Sequence, residues 1–251
     1  MTADHGAVLE PMTPVQVVGI GLDGLEGLSA MALNRLRQAD VIVGSDRQLE
    51  MCAAMAAEFW PLGNGQRAIA RIQERLSQSD PGSMVVLASG DPLFFGLGRL
   101  LLEALPADQI SFHPHLSSVQ LAFSRLKLPW QEAKLVSIHG RDPDQLLRVL
   151  RQNPPLVAVL TDPHHSPGAI AQILIDLDLP QPYTLWVCEA LGSEAEKVHR
   201  LSPAEARDRR FDPLSVVVLQ RQKEDVLPAH VPLLGLPDSA FLSFSDRPGL
   251  I

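Results

Sequence analysis

Short runs of β-branched and apolar residues recur along the first half of the chain, at Val15 to Val18, Val41 to Val43, Met84 to Ala88 and Gln109 to Phe112. Between them lie stretches in which apolar positions return every three or four residues. Ser29 is placed to cap a helix carrying Met31, Leu33 and Leu36. Asp46 opens a second with Leu49, Met51, Cys52 and Met55, and Arg67 to Gln78 gives a third with Ile69, Ile72 and Leu76. Strands buried on both faces by such helices form a parallel sheet. After Pro114 the pattern restarts: Ser117-Ser118-Val119-Gln120 has the form of a capping box ahead of a helix through Leu121 and Leu126 that stops at Pro129. Strands are predicted at Leu135 to Ile138, Leu156 to Leu160, Tyr183 to Cys188, Val198 to Leu201 and Leu214 to Leu219, with helices after Asp142-Pro143 and Ser166-Pro167. The strands at 183 and 198 have no helix between them and are expected to pair antiparallel. Ser202-Pro203-Ala204-Glu205 caps only a short helix before the last strand, so the second sheet is expected to be mixed.

The pattern therefore predicts an α/β protein with an N-terminal parallel α/β domain over 14–115 and a C-terminal mixed-sheet α/β domain over 116–222. Residues 1–13 are expected to be disordered. Prolines at 228, 232, 237 and 248 interrupt every candidate element, which makes 223–251 a tail or linker exposing Phe241, Leu242 and Phe244.

Composition narrows the classes. The 251 residues leave room for two domains, and 46% hydrophobic with 20% charged residues is a folded globular balance. A net charge of −8 works against nucleic acid as a partner. No apolar run reaches the ~18 residues of a membrane span, and Asp4 and Glu10 break any signal-peptide pattern, so a cytoplasmic protein is expected. Cys52 and Cys188 are isolated, hence reduced and structural, and no metal site is signalled. His164-His165 invites a metal reading, but adjacent residues in an extended segment point apart and no third ligand has matching spacing.

Gly19-Ile20-Gly21-Leu22-Asp23-Gly24 follows a strand and matches the dinucleotide loop G-x-G-x-x-G. In that fingerprint the helix begins inside the motif, whereas here the first cap is Ser29, and Gly44-Ser45 stands where an acidic residue closes the second strand. A nicotinamide or flavin site, a plain tight turn and a different ligand loop all remain open on this motif alone.

A second motif, Ser89-Gly90-Asp91-Pro92-Leu93-Phe94-Phe95-Gly96, directly follows the strand Met84 to Ala88. Together with the first loop, with Ala39-Asp40-Val41-Ile42-Val43-Gly44, with Pro114-His115-Leu116-Ser117-Ser118 and with Leu128-Pro129-Trp130, it resembles the tetrapyrrole (corrin/porphyrin) methylases. The likeness covers about residues 14 to 221, and departs where Leu22-Asp23 replaces a common proline and Phe95 a usual tyrosine. Asp46-Arg47-Gln48-Leu49-Glu50, His139-Gly140-Arg141 and Glu189-Ala190-Leu191-Gly192 look like the members that methylate carbon 5 of precorrin-7, or of its cobalt form, in cobalamin synthesis. The resemblance implies the tetrapyrrole methylase fold, S-adenosylmethionine as methyl donor, a homodimer, and a fused or separate partner for carbon 15.

It also implies site residues. Gly21, Leu22, Gly90, Asp91, Phe94, Ser117, Ser118, Thr161, Ala190 and Leu191 would meet the cofactor, and Arg47, His139 and Arg141 the substrate, whose carboxylates suit arginine forks. A type I turn around Asp91-Pro92 and plain surface arginines are the ordinary alternatives. His139 could donate a hydrogen bond to the macrocycle or move a proton. His113 and His115 are loop-surface residues by default, and Trp60, Trp130 and Trp186 core or interface anchors. No catalytic base is named, because a reduced tetrapyrrole's meso carbon is itself electron-rich. The rivals are a methylase of another tetrapyrrole carbon, a nicotinamide-dependent oxidoreductase and a non-catalytic tetrapyrrole-binding module.

Overall fold

The first sheet is built around three central strands that are almost wholly apolar and buried. β1 (Val15–Ile20), β2 (Val41–Gly44), β3 (Glu58–Pro61), β4 (Met84–Ser89) and β5 (Ile110–His113) run parallel in the order β3-β2-β4-β1-β5. Successive side chains point to opposite faces. Val15, Val17, Val41, Val43, Met84 and Val86 meet α3 (Gly65–Leu76) and α4 (Leu97–Ala104) on one face. On the other, Val18, Ile20, Ile42, Val85 and Leu87 meet α1 (Ala30–Arg37) and α2 (Asp46–Met51). This computed structural model describes residues 14–140 and 142–222; the predicted N-terminal and proline-rich segments, and Arg141, lie outside them.

Several predicted boundaries move, each for a local reason. Ser29 caps α1 as expected, its hydroxyl accepting from the Ala32 amide. Gly24–Gly27 forms a 3-10 turn where an open loop was predicted. The cap of α2 is Ser45, in a capping box with Gln48, and the helix ends at Met51, so Cys52 and Met55 lie beyond it. α3 begins at Gly65 because the Asn64 side chain accepts from the Arg67 amide. β3 went unrecognised: it is an edge strand that begins with Glu58, ends in Pro61 and buries only Trp60. α4, directly after the second motif, was likewise unnamed.

The second sheet orders β6 (Lys134–Ser137), β7 (Leu156–Leu160), β10 (Ser215–Arg221), β8 (Tyr183–Glu189) and β9 (Lys197–Leu201) as β6-β7-β10-β8-β9. β6 and β7 are parallel and every other pairing is antiparallel, the mixed sheet that was expected. α6 (Asp144–Arg151), α7 (Pro167–Leu177) and α8 (Pro203–Arg207) cover one face through Leu146, Leu150, Ile170, Leu174 and Ala206. α5 (Ser118–Leu126) covers the other through Val119, Ala122 and Phe123. The Ser117–Gln120 and Ser202–Glu205 capping boxes are both present. Asp142 does not cap α6: it accepts from the Asp144 amide in a turn, and Pro143 is the residue before the helix.

Candidate functional site

Three loops of the first sheet meet at the carboxyl ends of β1, β4 and β5, where open parallel sheets take ligands. The Gly90 amide donates to Ile20 O at 3.1 Å, and Gly90 O accepts from the His115 amide at 3.2 Å. A Cβ on Gly19 would overlap Gly90 O. Gly90 itself has φ +64°, and a Cβ there would stand 2.8 Å from Ser117 Cα. These two glycines serve first to let backbone approach backbone. Asp23 tucks in beside Gly21 and Gly27, 3.4 Å from His115 Nε2.

Against these loops stands the second sheet, and between them opens a cavity of about 510 Å³, within the ordinary range for small-molecule sites. The predicted residues Gly21, Leu22, Arg47, Gly90, Phe94, Ser117, Ser118, His139, Thr161 and Leu191 all line it. Asp91 and Ala190 do not. Asp91 Oδ1 accepts from the Leu93 amide and its carbonyl from the Phe94 amide, so the Asp-Pro turn and the cavity wall are one structure. Ala190 is buried at the end of β8 with φ +48°, its amide held by Leu214 O. Thr161 lines the wall with its polar groups already engaged: Oγ1 donates to Ser215 O at 2.7 Å and the carbonyl accepts from His139 Nδ1 at 2.9 Å.

The wall is apolar over Leu22, Leu87, Phe94, Leu121, Leu160, Leu191 and Val216, with hydroxyls at Ser118, Ser137 and Ser215 and the amino end of α5 opening onto it. An apolar slot with a few hydroxyls and a helix amino end fits a nucleoside joined to a short zwitterionic chain. Ser45, Gln48 and Ser89, which the sequence analysis did not name as site residues, form a polar corner in which buried Gln48 reaches Ser89 Oγ at 3.4 Å. The S-x-x-Q spacing from Ser45 was the available signal.

Other candidates fall away from the cavity. His113 Nε2 bonds Gln16 Oε1 at 2.7 Å, and burial, helped by Arg35, holds its titration below the usual range. His165 lies beside a carboxylate that spacing did not suggest, Asp162, at 3.3 Å. Among the described residues no group of three or more His, Cys, Asp or Glu is placed to hold a metal ion. Burial pushes the Cys188 thiol up to about 12 and raises that of Cys52, which disfavours the thiolate at both. Trp60 is a core residue, Trp186 donates to Gln220, and Trp130 is half-exposed and stacked on Phe123. Among the described residues no helix is long and apolar enough to cross a membrane.

The tetrapyrrole (corrin/porphyrin) methylase pattern matches residues 14–206, which carry both glycine loops, the amino end of α5 and the part of the second-sheet wall that runs from Ser137 to Leu191. The chain belongs to this family. It is 36% identical over 217 residues to a precorrin-6Y C(5,15)-methyltransferase (decarboxylating) of Sinorhizobium sp., covering 85% of this chain and 50% of that one. The chain thus spans about half the length of that relative. It is 32% identical over 209 residues to the cobalt-precorrin-7 C(5)-methyltransferase of Salmonella typhimurium, covering 82% of this chain and 98% of that one. A solved uroporphyrin-III C-methyltransferase from Thermus thermophilus, complexed with S-adenosylhomocysteine, superposes with a TM-score of 0.61 at 22% identity over 82% of this chain and 91% of that one. This tetrapyrrole methylase therefore shares its two-sheet architecture with enzymes that differ widely from it in sequence.

Proposed function

We propose that this methylase transfers one methyl group from S-adenosylmethionine to carbon 5 of precorrin-7, or of cobalt-precorrin-7, in cobalamin biosynthesis. The observation that carries the proposal is the cavity between the two sheets. Its lining brings together, from the segments that follow β1, β2, β4, β5, β6, β7 and β8, the residues that the resemblance to a tetrapyrrole methylase singles out. The carbon-5 assignment is supported by a match that extends over 98% of a relative named for that reaction. Carbon 15 and the decarboxylation are assigned to a fused or separate partner, in keeping with the half-length match to the bifunctional relative. Homodimerisation and a cytoplasmic location belong to the same proposal.

The cofactor, when bound, supplies the electrophilic methyl group. This chain's residues orient and enclose it. The backbone of Gly21, Leu22 and Gly90 and the Ser118 hydroxyl, which the capping box leaves unused, would hold it, while Phe94, Leu121 and Leu191 exclude water. Arg47, on the first turn of α2 at the cavity wall, would take a substrate carboxylate. Replacing Arg47 by Ala is expected to weaken tetrapyrrole binding about tenfold or more, the loss of one charge-assisted hydrogen bond, with cofactor affinity unchanged in calorimetry.

The test is to supply precorrin-7 and precorrin-6B separately with labelled S-adenosylmethionine and to weigh the products. One added methyl on precorrin-7 is expected. Two methyl groups added to precorrin-6B with loss of carbon dioxide would overturn the division of labour, and no addition to either would overturn the assignment.

A further inference from the structure

Asp162, one residue past Thr161 at the end of β7, is a carboxylate that none of the motifs singled out. Its side chain is only 7% exposed. Oδ2 accepts from the Gly140 amide at 2.7 Å, and Oδ1 from the amides of His164 at 2.8 Å and His165 at 2.6 Å. The His165 ring adds a fourth contact at 3.3 Å. A carboxylate ringed by donors is an acceptor on every side, and here it ties the loop after β6 to the loop after β7.

The tied residue next to Gly140 is His139, on the cavity wall. Its Nδ1 lies 2.9 Å from Thr161 O. A carbonyl can only accept, so Nδ1 carries the hydrogen and the neutral ring keeps its lone pair on Nε2. Among the described residues Nε2 has no protein partner. Thr161 is itself fixed, through its hydroxyl, to Ser215 at the start of β10. Residues 139–140 are therefore held at two points across the strand ends, by Thr161 O at the His139 ring and by Asp162 at the following amide. Gly140, with φ +61° and no atom within 4 Å of a built Cβ, supplies the turn that lets its amide face the carboxylate.

We propose that Asp162 is a positioning residue that, through the Gly140 amide, locks His139 as the Nδ1–H tautomer and presents Nε2 as a hydrogen-bond acceptor to the bound macrocycle. The proposal rests on the reading that this cavity receives a tetrapyrrole. Asp162→Asn is the sharpest perturbation. One amide oxygen still accepts from His164 and His165, but an NH2 now faces the Gly140 N–H, donor against donor, and the Gly140 tie is lost.

The first measurement needs no ligand and no variant. Long-range 1H–15N correlation of the imidazoles at pH 8 should show His139 as the Nδ1–H tautomer in the wild-type chain. In Asp162→Asn the His139 signals should move toward a tautomer mixture. Tetrapyrrole Kd should rise about tenfold, and S-adenosylmethionine Kd should stay within twofold. A double-mutant cycle separates positioning from general damage: once His139 is Ala, adding Asp162→Asn should raise tetrapyrrole Kd no further. A wild-type His139 that carries its hydrogen on Nε2 would overturn the proposal. So would unchanged tautomer and Kd in folded Asp162→Asn, or fully additive effects in the cycle. A wild-type chain that binds no tetrapyrrole would instead fail the functional reading, while the tautomer measurements would still decide whether Asp162 controls His139.

Discussion

The two walls of the cavity are held by different chemistry. On the first sheet the loops approach one another through missing side chains, Gly19 against Gly90 O and Gly90 against Ser117 Cα, while the Asp91 carboxylate closes only its own turn. On the second sheet the loops are fastened by carboxylates that accept backbone amides. Asp162 takes Gly140, His164 and His165; Glu189, 8% exposed, takes Asp212 and the His199 ring at 2.6 Å; Glu196 takes Gly192 at 2.9 Å and pairs with Arg125. A glycine contact tolerates no added atom, whereas a carboxylate staple depends on charge, protonation and solvent. The first wall should therefore respond to volume and the second to pH.

The largest effect is expected at Gly19. A methyl group there meets backbone on both sides, Gly90 O and the His115 amide. Gly19→Ala should lower stability by about 3 kcal/mol, the upper end for overpacking, equally at pH 7 and pH 4 in urea titrations. Next comes Asp162→Ala, which strands three amides and should cost about 2 kcal/mol at neutral pH. The Asp162 carboxyl is held well below the usual carboxylate range. The His165 amide contributes most, with the Gly140 amide, the His165 ring and the His164 amide joining it against the opposing effect of burial. A depressed folded-state pKa gives stability that is fully present above the unfolded value of about 3.9 and is lost as pH falls. The gap between wild type and Asp162→Ala should therefore narrow below about pH 4, and a pH-independent gap would break the contrast between the walls.

Gly140→Ala isolates backbone conformation from volume. Its φ is +61° but a Cβ would meet nothing within 4 Å, so the cost should be about 1 kcal/mol, that of a left-handed alanine. If Gly140→Ala cost as much as Gly19→Ala, close approach would not be what distinguishes the first wall. The smallest effect belongs to Arg125→Met. Arg125 is 42% exposed, and although it leads in holding the Glu196 carboxyl low, with the Gly192 amide also contributing, the pair is screened by solvent. About 0.5 kcal/mol is expected, vanishing in high salt.

The same contrast separates what could be read from sequence from what could not. Unbroken runs such as Met84 to Ala88 and spaced motifs such as Ser117 to Gln120 carry their own local signal, so the parallel sheet, the antiparallel return at 183 and 198 and the two glycine loops were legible. β3 was not, because an edge strand that begins with Glu58, ends in Pro61 and buries only Trp60 shows no apolar run, and Ser45 was passed over for Asp46 although its S-x-x-Q spacing to Gln48 was available. Asp162 escaped because Gly140 becomes its neighbour only when β6 and β7 pair. Its own turn, with the His164 and His165 amides on Oδ1, was the local trace. Asp91 shows the reverse case: the motif marked it correctly as part of a special loop, while its side chain faces that loop's own backbone and not the cavity.

The central claim is that a cavity shared by these two unlike walls directs one methyl group to one carbon. The most direct measurement is to incubate the chain with precorrin-7 and S-adenosylmethionine bearing a 13C-labelled methyl group, and to locate the label in the purified product by NMR. A single enriched methyl signal coupled to carbon 5 is the result this account predicts. Enrichment at any other carbon, or at two carbons, would contradict it.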